Sequence, residues 1–365
     1  VLVNVIENRT YTTPDFSGEI TFPAFNPGDY MDLEIPVKSS ETNFAIELEL
    51  TDYLGKKSVQ RIDLETMKNY RSPMELTVQD IGAADIVYYP DEFGEVDVDR
   101  RIPIGRKNPN AIAVIIGTQE YEDKNYPFLE YADRDRDVIR TYFRQAFGLS
   151  DFQILPSKPW QMEGGPSFDE YQMIFDPYQG DLRRRIISAE KYSEMDEIHL
   201  YVYFRGYGEW INGRPFLIPR DAVYDRDVTK FSIDEMVGSL SRLSVLDIIE
   251  KITLFMDVTY VNPEESSGLL WDYPDLSEKI SILSSNSNGE TSQLFNDKKH
   301  SFFTYSLLKG LSGNADDGDN IIDLGEVTEY VYKSVPENIR NQPGSLRQNP
   351  KFNGLDLKRV LLDLR

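Results

Sequence analysis

Two short segments, each following an apolar run, carry side chains that could do chemistry. Residues 203–210, YFRGYGEW, place Tyr207 between two glycines. Residues 254–260, LFMDVTY, place Asp257 and Thr259 at the end of a second apolar run. A threonine hydroxyl is a weak nucleophile that needs an adjacent base, and tyrosine, with a pKa near ~10, is a poor base at neutral pH. The two segments therefore lie where a catalytic centre is expected, but they lack the residue types that usually act as nucleophile and base.

Other reactive side chains are scarce. The chain has no cysteine, which excludes disulfides, thiolate metal sites and cysteine catalysis. It has two histidines, His199 and His300. His199 precedes Tyr207 on the same predicted strand by eight residues, which is roughly 26 Å at ~3.3 Å per residue. His300 precedes a predicted helix. The chain therefore offers few histidines for acid–base catalysis or metal binding.

From residue 110 onward, apolar runs typical of buried strands alternate with segments of helical spacing. This alternation predicts an α/β domain over 110–365, with a mostly parallel sheet covered on both faces. In such sheets, sites lie outside the carboxyl ends of the strands, where RGYG and DVTY are expected. The predicted strands are AIAVIIG, DFQIL, EIHLYVYF, ITLFMDV, ISILSS and KRVLLDL. The predicted helices are EYADRDRDVIRTYFRQAFG, GDLRRRIISAEKY, SIDEMVGSLSRL, SFFTYSLLKGL and GEVTEYVYKSV.

Residues 1–100 have a different pattern. Short alternating segments, such as SGEITFPAF, DYMDLEIPVKS, NFAIELELTDY, MELTVQDI and ADIVYY, are separated by turn-forming residues. This pattern predicts a small all-β, immunoglobulin-like sandwich. Residues 101–109 are polar and contain proline, as expected for a linker.

The composition restricts the class of partner. The 365 residues carry a formal net charge of −23, so free nucleic acid is not an expected partner and basic protein segments are. No apolar run reaches the ~20 residues of a membrane helix. The chain begins at Val1 and shows no signal peptide. We leave the oligomeric state open and favour an extracytoplasmic compartment, the periplasm or cell surface, over the cytoplasm.

Six sequence blocks between about residues 108 and 365 resemble, in order and spacing, the caspase-like cysteine peptidases. They are NPNAIAVIIGTQEY, LEYADRDRDVIRTYF, YVYFRGYG, NGRPFLIPRDA, LFMDVTY and KKHSFFTYSLLKGLSGNAD. Within that family, the chain is most like the bacterial caspase homologues, or orthocaspases, near the metacaspases. The resemblance implies a three-layer caspase-like α/β fold, and a preceding β-sandwich is familiar as an accessory domain of bacterial members.

The same resemblance shows that both catalytic positions have changed. Active members carry Ser-Gly-His-Gly, with histidine as the base, where this chain has Arg205-Gly206-Tyr207-Gly208. They carry Asp-X-Cys, with cysteine as the nucleophile, where this chain has Asp257-Val258-Thr259. We therefore expect a catalytically inactive pseudo-peptidase that binds proteins as a scaffold, as a regulator of an active relative or as a subunit of a larger assembly.

The alternative is an atypical or calcium-dependent peptidase that cleaves after basic residues with Thr259 as its nucleophile. The resemblance implies that the backbone N–H of Gly208 could still help to form an oxyanion hole. It also implies that the loop before His300 borders the pocket.

Two acidic residues match positions that line the first specificity pocket of metacaspase-type members, which prefer arginine or lysine. They are Asp135, in RDRD, and Asp257. If both face one cleft, the protein could hold a basic side chain without cutting beside it. The alternative for Asp135 is a solvated charge on a helix.

Residues 314–326, NADDGDNIIDLGE, resemble an incomplete EF-hand calcium loop. Counting back from Glu326 as the twelfth position places Ala315 first and Asn320 sixth, where asparagine tolerates the left-handed conformation that glycine would supply. The alternative is an acidic turn that caps a helix beginning near Gly325. Calcium is the one cofactor we predict, and its candidate ligands are Asp316, Asp317, Asp319, Asp323 and Glu326.

Overall fold

The computed structural model describes the strands at 2–7, 16–19, 43–51 and 57–65, and residues 96–100, 102–156, 164–192, 197–266, 273, 276–342, 344 and 347–365. Its backbone divides the chain into two compact units, Val1–Pro90 and Asp91–Arg365. This division falls before residue 100. The predicted limits of the domains and of the linker stay predictions.

The first unit contains a four-stranded antiparallel sheet with strand order β2-β1-β3-β4. Its strands are β1 (Leu2–Glu7), β2 (Phe16–Glu19), β3 (Asn43–Thr51) and β4 (Lys57–Glu65). The predicted strands DYMDLEIPVKS, MELTVQDI and ADIVYY lie outside the described residues. The second sheet of an immunoglobulin-like sandwich therefore stays a prediction.

The second unit is built on an eight-stranded sheet whose main order is β15-β11-β10-β7-β5-β6, with β8 added to β7 and β9 added to β8. Strands β5, β6, β7, β10 and β11 are parallel, whereas β8, β9 and β15 pair antiparallel with their neighbours. The strands are β5 (Ala111–Gly117), β6 (Ile154–Leu155), β7 (Ile198–Ile211), β8 (Arg214–Leu217), β9 (Phe231–Ser232), β10 (Ile249–Tyr260), β11 (Ile280–Ser284) and β15 (Lys351–Asn353).

Two short antiparallel strand pairs accompany this sheet. Strand β12 (Leu294–Phe295) pairs with β13 (His300–Ser301), and β14 (Ile321–Asp323) pairs with β16 (Val360–Asp363). The segment KRVLLDL therefore forms a strand, as predicted, but it pairs outside the main sheet.

Helices cover both faces of the sheet, and each face has its own apolar core. Side chains of α3, α4 and α5 belong to one core, and those of α2, α6 and α7 belong to the other. The predicted three-layer α/β architecture with a mostly parallel sheet is confirmed. The helices are α1 (Asp97–Arg100), α2 (Ala132–Gln145), α3 (Phe168–Phe175), α4 (Asp181–Tyr192), α5 (Ile233–Leu243), α6 (Phe302–Lys309) and α7 (Leu324–Arg340). None of the helices in the described ranges is long and apolar enough to cross a membrane.

Strand β5 shows why the parallel strands are continuous apolar runs. Its residues at 112, 114 and 116 enter one core, and those at 111, 113 and 115 enter the other. Because both faces of the strand are buried, no position alternates to a polar residue. Helix α5 also begins as predicted, since the Ser232 hydroxyl accepts a hydrogen bond from the Glu235 N–H at 3.3 Å.

Strands β7 and β10 are longer than the sequence indicated. The predicted strand EIHLYVYF ends at residue 204, but β7 continues through the glycines to Ile211. The cause is a hairpin: β8 pairs antiparallel with the end of β7, and residues 212 and 213 form its two-residue turn with φ angles of 50° and 75°. Asn-Gly is the preferred sequence for such a turn. The RGYG segment therefore lies inside a strand.

Other local differences are small. The DFQIL segment forms a 3-10 turn at Asp151–Gln153 followed by the two residues of β6, and helix α3 has no counterpart among the predicted elements.

One buried arginine near the carboxyl terminus connects β10 and β11 near their amino ends. The guanidinium of Arg359, which is 1% exposed, donates to the carbonyl of Ile252 and to the hydroxyl of Thr253, both at 2.7 Å. It also donates to the carbonyl of Lys279 at 3.1 Å. These acceptors lie on β10 and immediately before β11, so one side chain joins both strands to the segment before β16.

We predict that Arg359→Met lowers the free energy of unfolding by about 2–4 kcal/mol, because buried acceptors lose their donor. Urea denaturation measures this change. Arg347→Met is the matched control, because the Arg347 side chain is 85% exposed, and we expect it to change stability by less than ~0.5 kcal/mol. Equal losses in the two variants would contradict the assigned role of Arg359.

Candidate functional site

The parallel pairing of β7 and β10 brings together the two segments with which the sequence analysis began. Tyr207 is the register partner of Thr259, and Arg205 is the register partner of Asp257. We expected RGYG and DVTY at the carboxyl ends of strands; DVTY does end β10, whereas RGYG lies inside β7, three residues before its end. The arrangement follows from strand direction, because parallel neighbours end at the same edge of a sheet.

The hydroxyl of Thr259 is used in two hydrogen bonds. It accepts from Nη1 of Arg205 at 2.8 Å and donates to the backbone carbonyl of Ser292 at 3.2 Å. A nucleophilic hydroxyl must instead give its proton to a base. In this arrangement the proton points to a carbonyl oxygen, and a cation occupies the acceptor side.

Tyr207 packs into an aromatic cluster. Its side chain is 8% exposed, and its ring centroid lies 5.2 Å from that of Tyr121 and 6.4 Å from that of Tyr126. The Tyr121 hydroxyl accepts a hydrogen bond from the backbone N–H of Tyr207 at 2.9 Å. Burial raises the pKa of the Tyr207 phenol, and the nearby Arg205 only partly opposes that rise. Tyr207 is therefore a neutral phenol at neutral pH.

Gly208 allows β7 and β10 to approach closely. A Cβ atom at this position would lie 2.4 Å from Cγ1 of Val258 and 2.8 Å from Cε1 of Tyr260. Contact at that distance explains why glycine follows Tyr207 inside a strand. The role of its N–H as an oxyanion donor stays a prediction.

Asp135 and Asp257 lie on either side of one guanidinium group. Nε of Arg205 is 3.4 Å from Oδ2 of Asp135 and 3.6 Å from Oδ2 of Asp257. All three side chains are fully buried, so Asp135 is not a solvated helix charge. Burial alone would lower the pKa of the guanidinium, but the attraction of Asp257 and Asp135 outweighs it and raises that pKa. The assignment of these two residues to a substrate pocket stays a prediction.

The carboxylate of Asp257 is surrounded by hydroxyl donors. Ser292 donates to Oδ1, and Ser301 and Thr304 donate to Oδ2, the last at 2.7 Å. Thr304 is also hydrogen-bonded to the hydroxyl of Tyr203 at 2.7 Å. Buried charge is tolerated where such bonds replace those to water, and here one cation and three hydroxyls do so.

His300 is engaged by carboxylates on both sides of its ring. Nδ1 lies 2.6 Å from Oδ1 of Asp135, and Nε2 lies 3.0 Å from Oδ1 of Asp99, which also pairs with Arg134. Burial would lower the pKa of His300, but the hydrogen bonds to Asp135 and Asp99 and their charge raise it to about 9. His300 is therefore an imidazolium in this network and has no nitrogen left to act as a base.

The other histidine lies at the opposite end of β7. Nε2 of His199 contacts Glu250. The sequence correctly separated His199 from Tyr207 but gave no role to Arg205, Asp99 or Ser292. A signal for Arg205 was available: an arginine within a run of buried strand residues needs a carboxylate partner.

The acidic turn brings together three of the five predicted calcium ligands. One carboxylate oxygen from each of Asp316, Asp317 and Glu326 lies within 4.8 Å of the others. Asn320 adopts the left-handed conformation that we expected, with a φ of 64°. The turn also caps a helix as the alternative required, because Asp323 accepts from the Glu326 N–H at 2.9 Å.

The remaining predicted ligands have other partners. Asp319 accepts from the Ile321 N–H at 2.8 Å, and Asp323 pairs with Lys358 at 3.1 Å. Calcium binding by the turn stays a prediction.

We predict that the network around His300 makes the free energy of unfolding decrease as the pH becomes alkaline. The pKa of His300 is about 9 in the folded protein and about 6.5 in the unfolded chain. Its contribution, roughly 3 kcal/mol, is complete below pH ~6.5 and is lost as the pH rises through ~9. Urea denaturation from pH 6 to 10 should show this loss in the wild type and a smaller loss in His300→Asn. His199→Gln is the matched control and should keep the wild-type slope, and an equal slope in His300→Asn would contradict the prediction.

We predict that about 1 mM calcium raises the melting temperature by about 2–4 °C relative to EDTA, because a ligand that binds only the folded state stabilises it. Asp316→Asn should abolish the shift. Asp319→Asn, outside the group of three carboxylates, should retain most of it. A wild-type melting temperature that is indifferent to calcium would favour the acidic turn as a helix cap alone.

Comparison with known protein families gives a match. Residues 110–362 match the model of the caspase domain. Two solved structures are similar, namely caspase-1 from Spodoptera frugiperda, at 14% identity with a TM-score of 0.44, and the Drosophila initiator caspase Dronc, at 10% identity with a TM-score of 0.41. The first similarity covers 71% of this chain and 95% of that one, and the second covers 72% and 86%. No curated protein matches the chain. The match over 110–362, which is more than half of the chain, shows that this protein belongs to the caspase domain family.

Proposed function

We propose that this protein is a catalytically inactive member of the caspase domain family that acts by binding other proteins. It would serve as a scaffold, as a regulator of an active relative or as a subunit of a larger assembly. We further propose that it belongs with the bacterial caspase homologues near the metacaspases. The location outside the cytoplasm stays a prediction.

The observation that carries this proposal is the hydrogen bonding of the Thr259 hydroxyl. Its proton is directed to the carbonyl of Ser292, and its acceptor side faces the guanidinium of Arg205. A positively charged neighbour lowers the electron density that a nucleophile must supply and cannot take up its proton. Activation of Thr259 would require both hydrogen bonds to be exchanged for a bond to a base.

Neither Tyr207 nor either of the two histidines is available to Thr259 as a base. Burial raises the pKa of Tyr207, so its phenol holds its proton at neutral pH. Both nitrogens of His300 contact carboxylates, and His199 contacts Glu250 near the other end of β7. This supports the loss of catalysis over the alternative, a peptidase that uses Thr259 to cleave after basic residues.

A binding role is supported by the surface beside the tyrosine cluster. The ring of Tyr224, which is 41% exposed, lies 5.5 Å from that of Tyr126, which also neighbours the rings of Tyr121 and Tyr207. Phe128, which follows Tyr126 by two residues in the chain, is 55% exposed. Aromatic side chains with one apolar and one wet end are common at protein interfaces. The net charge of −23 would favour a partner with basic segments.

We predict that the purified chain does not hydrolyse fluorogenic peptides ending in arginine, lysine or aspartate faster than its Thr259→Ala variant, with or without calcium. Loss of a catalytic nucleophile and base typically reduces turnover by about 10⁶-fold, below the background of such an assay. An active caspase on the same peptides is the positive control. Turnover that Thr259→Ala abolishes would overturn the proposal and establish the alternative.

The binding role needs a separate experiment. Native purification should recover the chain in a complex of fixed stoichiometry, and Tyr224→Ala should weaken that complex without altering the melting temperature. A chain that purifies alone at its native concentration would contradict the binding role but not the loss of catalysis.

A further inference from the structure

The basic group that lies between Asp135 and Asp257 belongs to the chain itself. Asp135 comes from α2 and Asp257 from β10, and the guanidinium between them comes from Arg205 on β7. We propose that Asp135 and Asp257 form a receptor for a single guanidinium group, and that Arg205 occupies it permanently. The wild-type protein would then take no arginine or lysine side chain from a partner at this position.

The first argument is charge balance. The buried network contains three carboxylates, those of Asp99, Asp135 and Asp257. It contains three cations, namely Arg205, Arg134 and the imidazolium of His300. Each carboxylate is thus matched by one cation, so a further cation would have no carboxylate partner. A second basic group would be buried without a partner, which is strongly unfavourable.

The second argument is the geometry of the receptor. The carboxylates are held in place by donors other than Arg205, because Ser301 N–H donates to Asp135 at 3.2 Å, and the hydroxyls of Ser292, Ser301 and Thr304 donate to Asp257. The oxygens that face the guanidinium are therefore fixed by the surrounding fold. Such a site would keep its shape if Arg205 were shortened.

The third argument is the way in which Arg205 is held. Its Nη1 donates to Thr259, whereas Nε and Nη2 have no hydrogen-bond partner among the described residues. Arg205 therefore occupies the receptor mainly through charge, and its hydrogen bonds are incomplete. A small guanidinium compound could restore the charge. Thr259, whose hydroxyl binds the tip of Arg205, is half-buried rather than buried.

This inference goes beyond the proposed loss of catalysis and does not depend on it, because a chain that hydrolysed peptides would still have its acidic pair occupied. It replaces the expectation that Asp135 and Asp257 hold a basic side chain of another protein.

The test is chemical rescue of Arg205→Ala. This variant lacks two methylene carbons and the guanidinium, which together correspond to ethylguanidinium. We expect it to melt about 10 °C below the wild type, because a buried carboxylate loses its partner. Ethylguanidinium chloride at about 10 mM should raise its melting temperature by about 3 °C and leave the wild type unchanged.

Matched controls separate charge from volume. Ethylurea has the same planar shape without the charge and should not rescue Arg205→Ala. Arg205→Met fills the space without charge, so it should be destabilised and should not respond to ethylguanidinium. Arg205→Ala/Asp257→Asn removes one carboxylate of the receptor and should respond less than Arg205→Ala.

Three outcomes would overturn the proposal. They are rescue of Arg205→Ala by ethylurea as effectively as by ethylguanidinium, an equal response of the wild type, and an Arg205→Ala variant as stable as the wild type. If Arg205→Ala does not fold alone, its soluble yield on refolding becomes the measurement. Ethylguanidinium should increase that yield, and an unchanged yield would refute the proposal. The peptidase assay above is unaffected by any of these results.

Discussion

The buried guanidinium of Arg205 between the carboxylates of Asp135 and Asp257 is the interaction on which the rest of the site depends. Transfer of a charge from water to a protein interior is costly unless an opposite charge and hydrogen bonds replace the water. The three side chains come from β7, α2 and β10, so the charges meet only when the sheet and its helix have assembled. The network extends to Asp99 of α1 through His300, and so fastens the start of the second unit to its core.

The same interaction sets the hydrogen bonding of Thr259, which is the register partner of Tyr207. Arg205 binds the hydroxyl of Thr259, whose proton points to a carbonyl. Tyr207 lies in an aromatic cluster, and its phenol is neutral because burial raises its pKa. Catalytic groups must change their hydrogen bonds and protonation states during a reaction. Thr259 and Tyr207 have fixed structural partners in this fold, and this is the basis of the proposed loss of catalysis.

Secondary structure was predictable from the sequence wherever the local pattern of apolar and capping residues determines it. The run that forms β5 is apolar throughout because both faces of the sheet are covered, and Ser232 begins α5 as a helix cap. The prediction failed for the end of β7, where pairing with β8 extends the strand past its glycines. The Asn-Gly turn at 212–213 is a local signal of that hairpin, whereas the pairing of the last strand outside the main sheet has no local signal.

The sequence by itself determined the α/β layering, the absence of cysteine chemistry and the placement of RGYG and DVTY toward the same edge of the sheet. The meeting of Tyr207 with Thr259 required the strand order, which places β7 beside β10. Only the tertiary structure decided that Asp135 is buried, that Arg205 neutralises it and that His300 bridges two carboxylates. The bonds of His300 to Asp135 and Asp99 span 165 and 201 positions along the chain. Periodicity records which face of one element is buried, but the partner of a buried charge is set by how distant elements pack together.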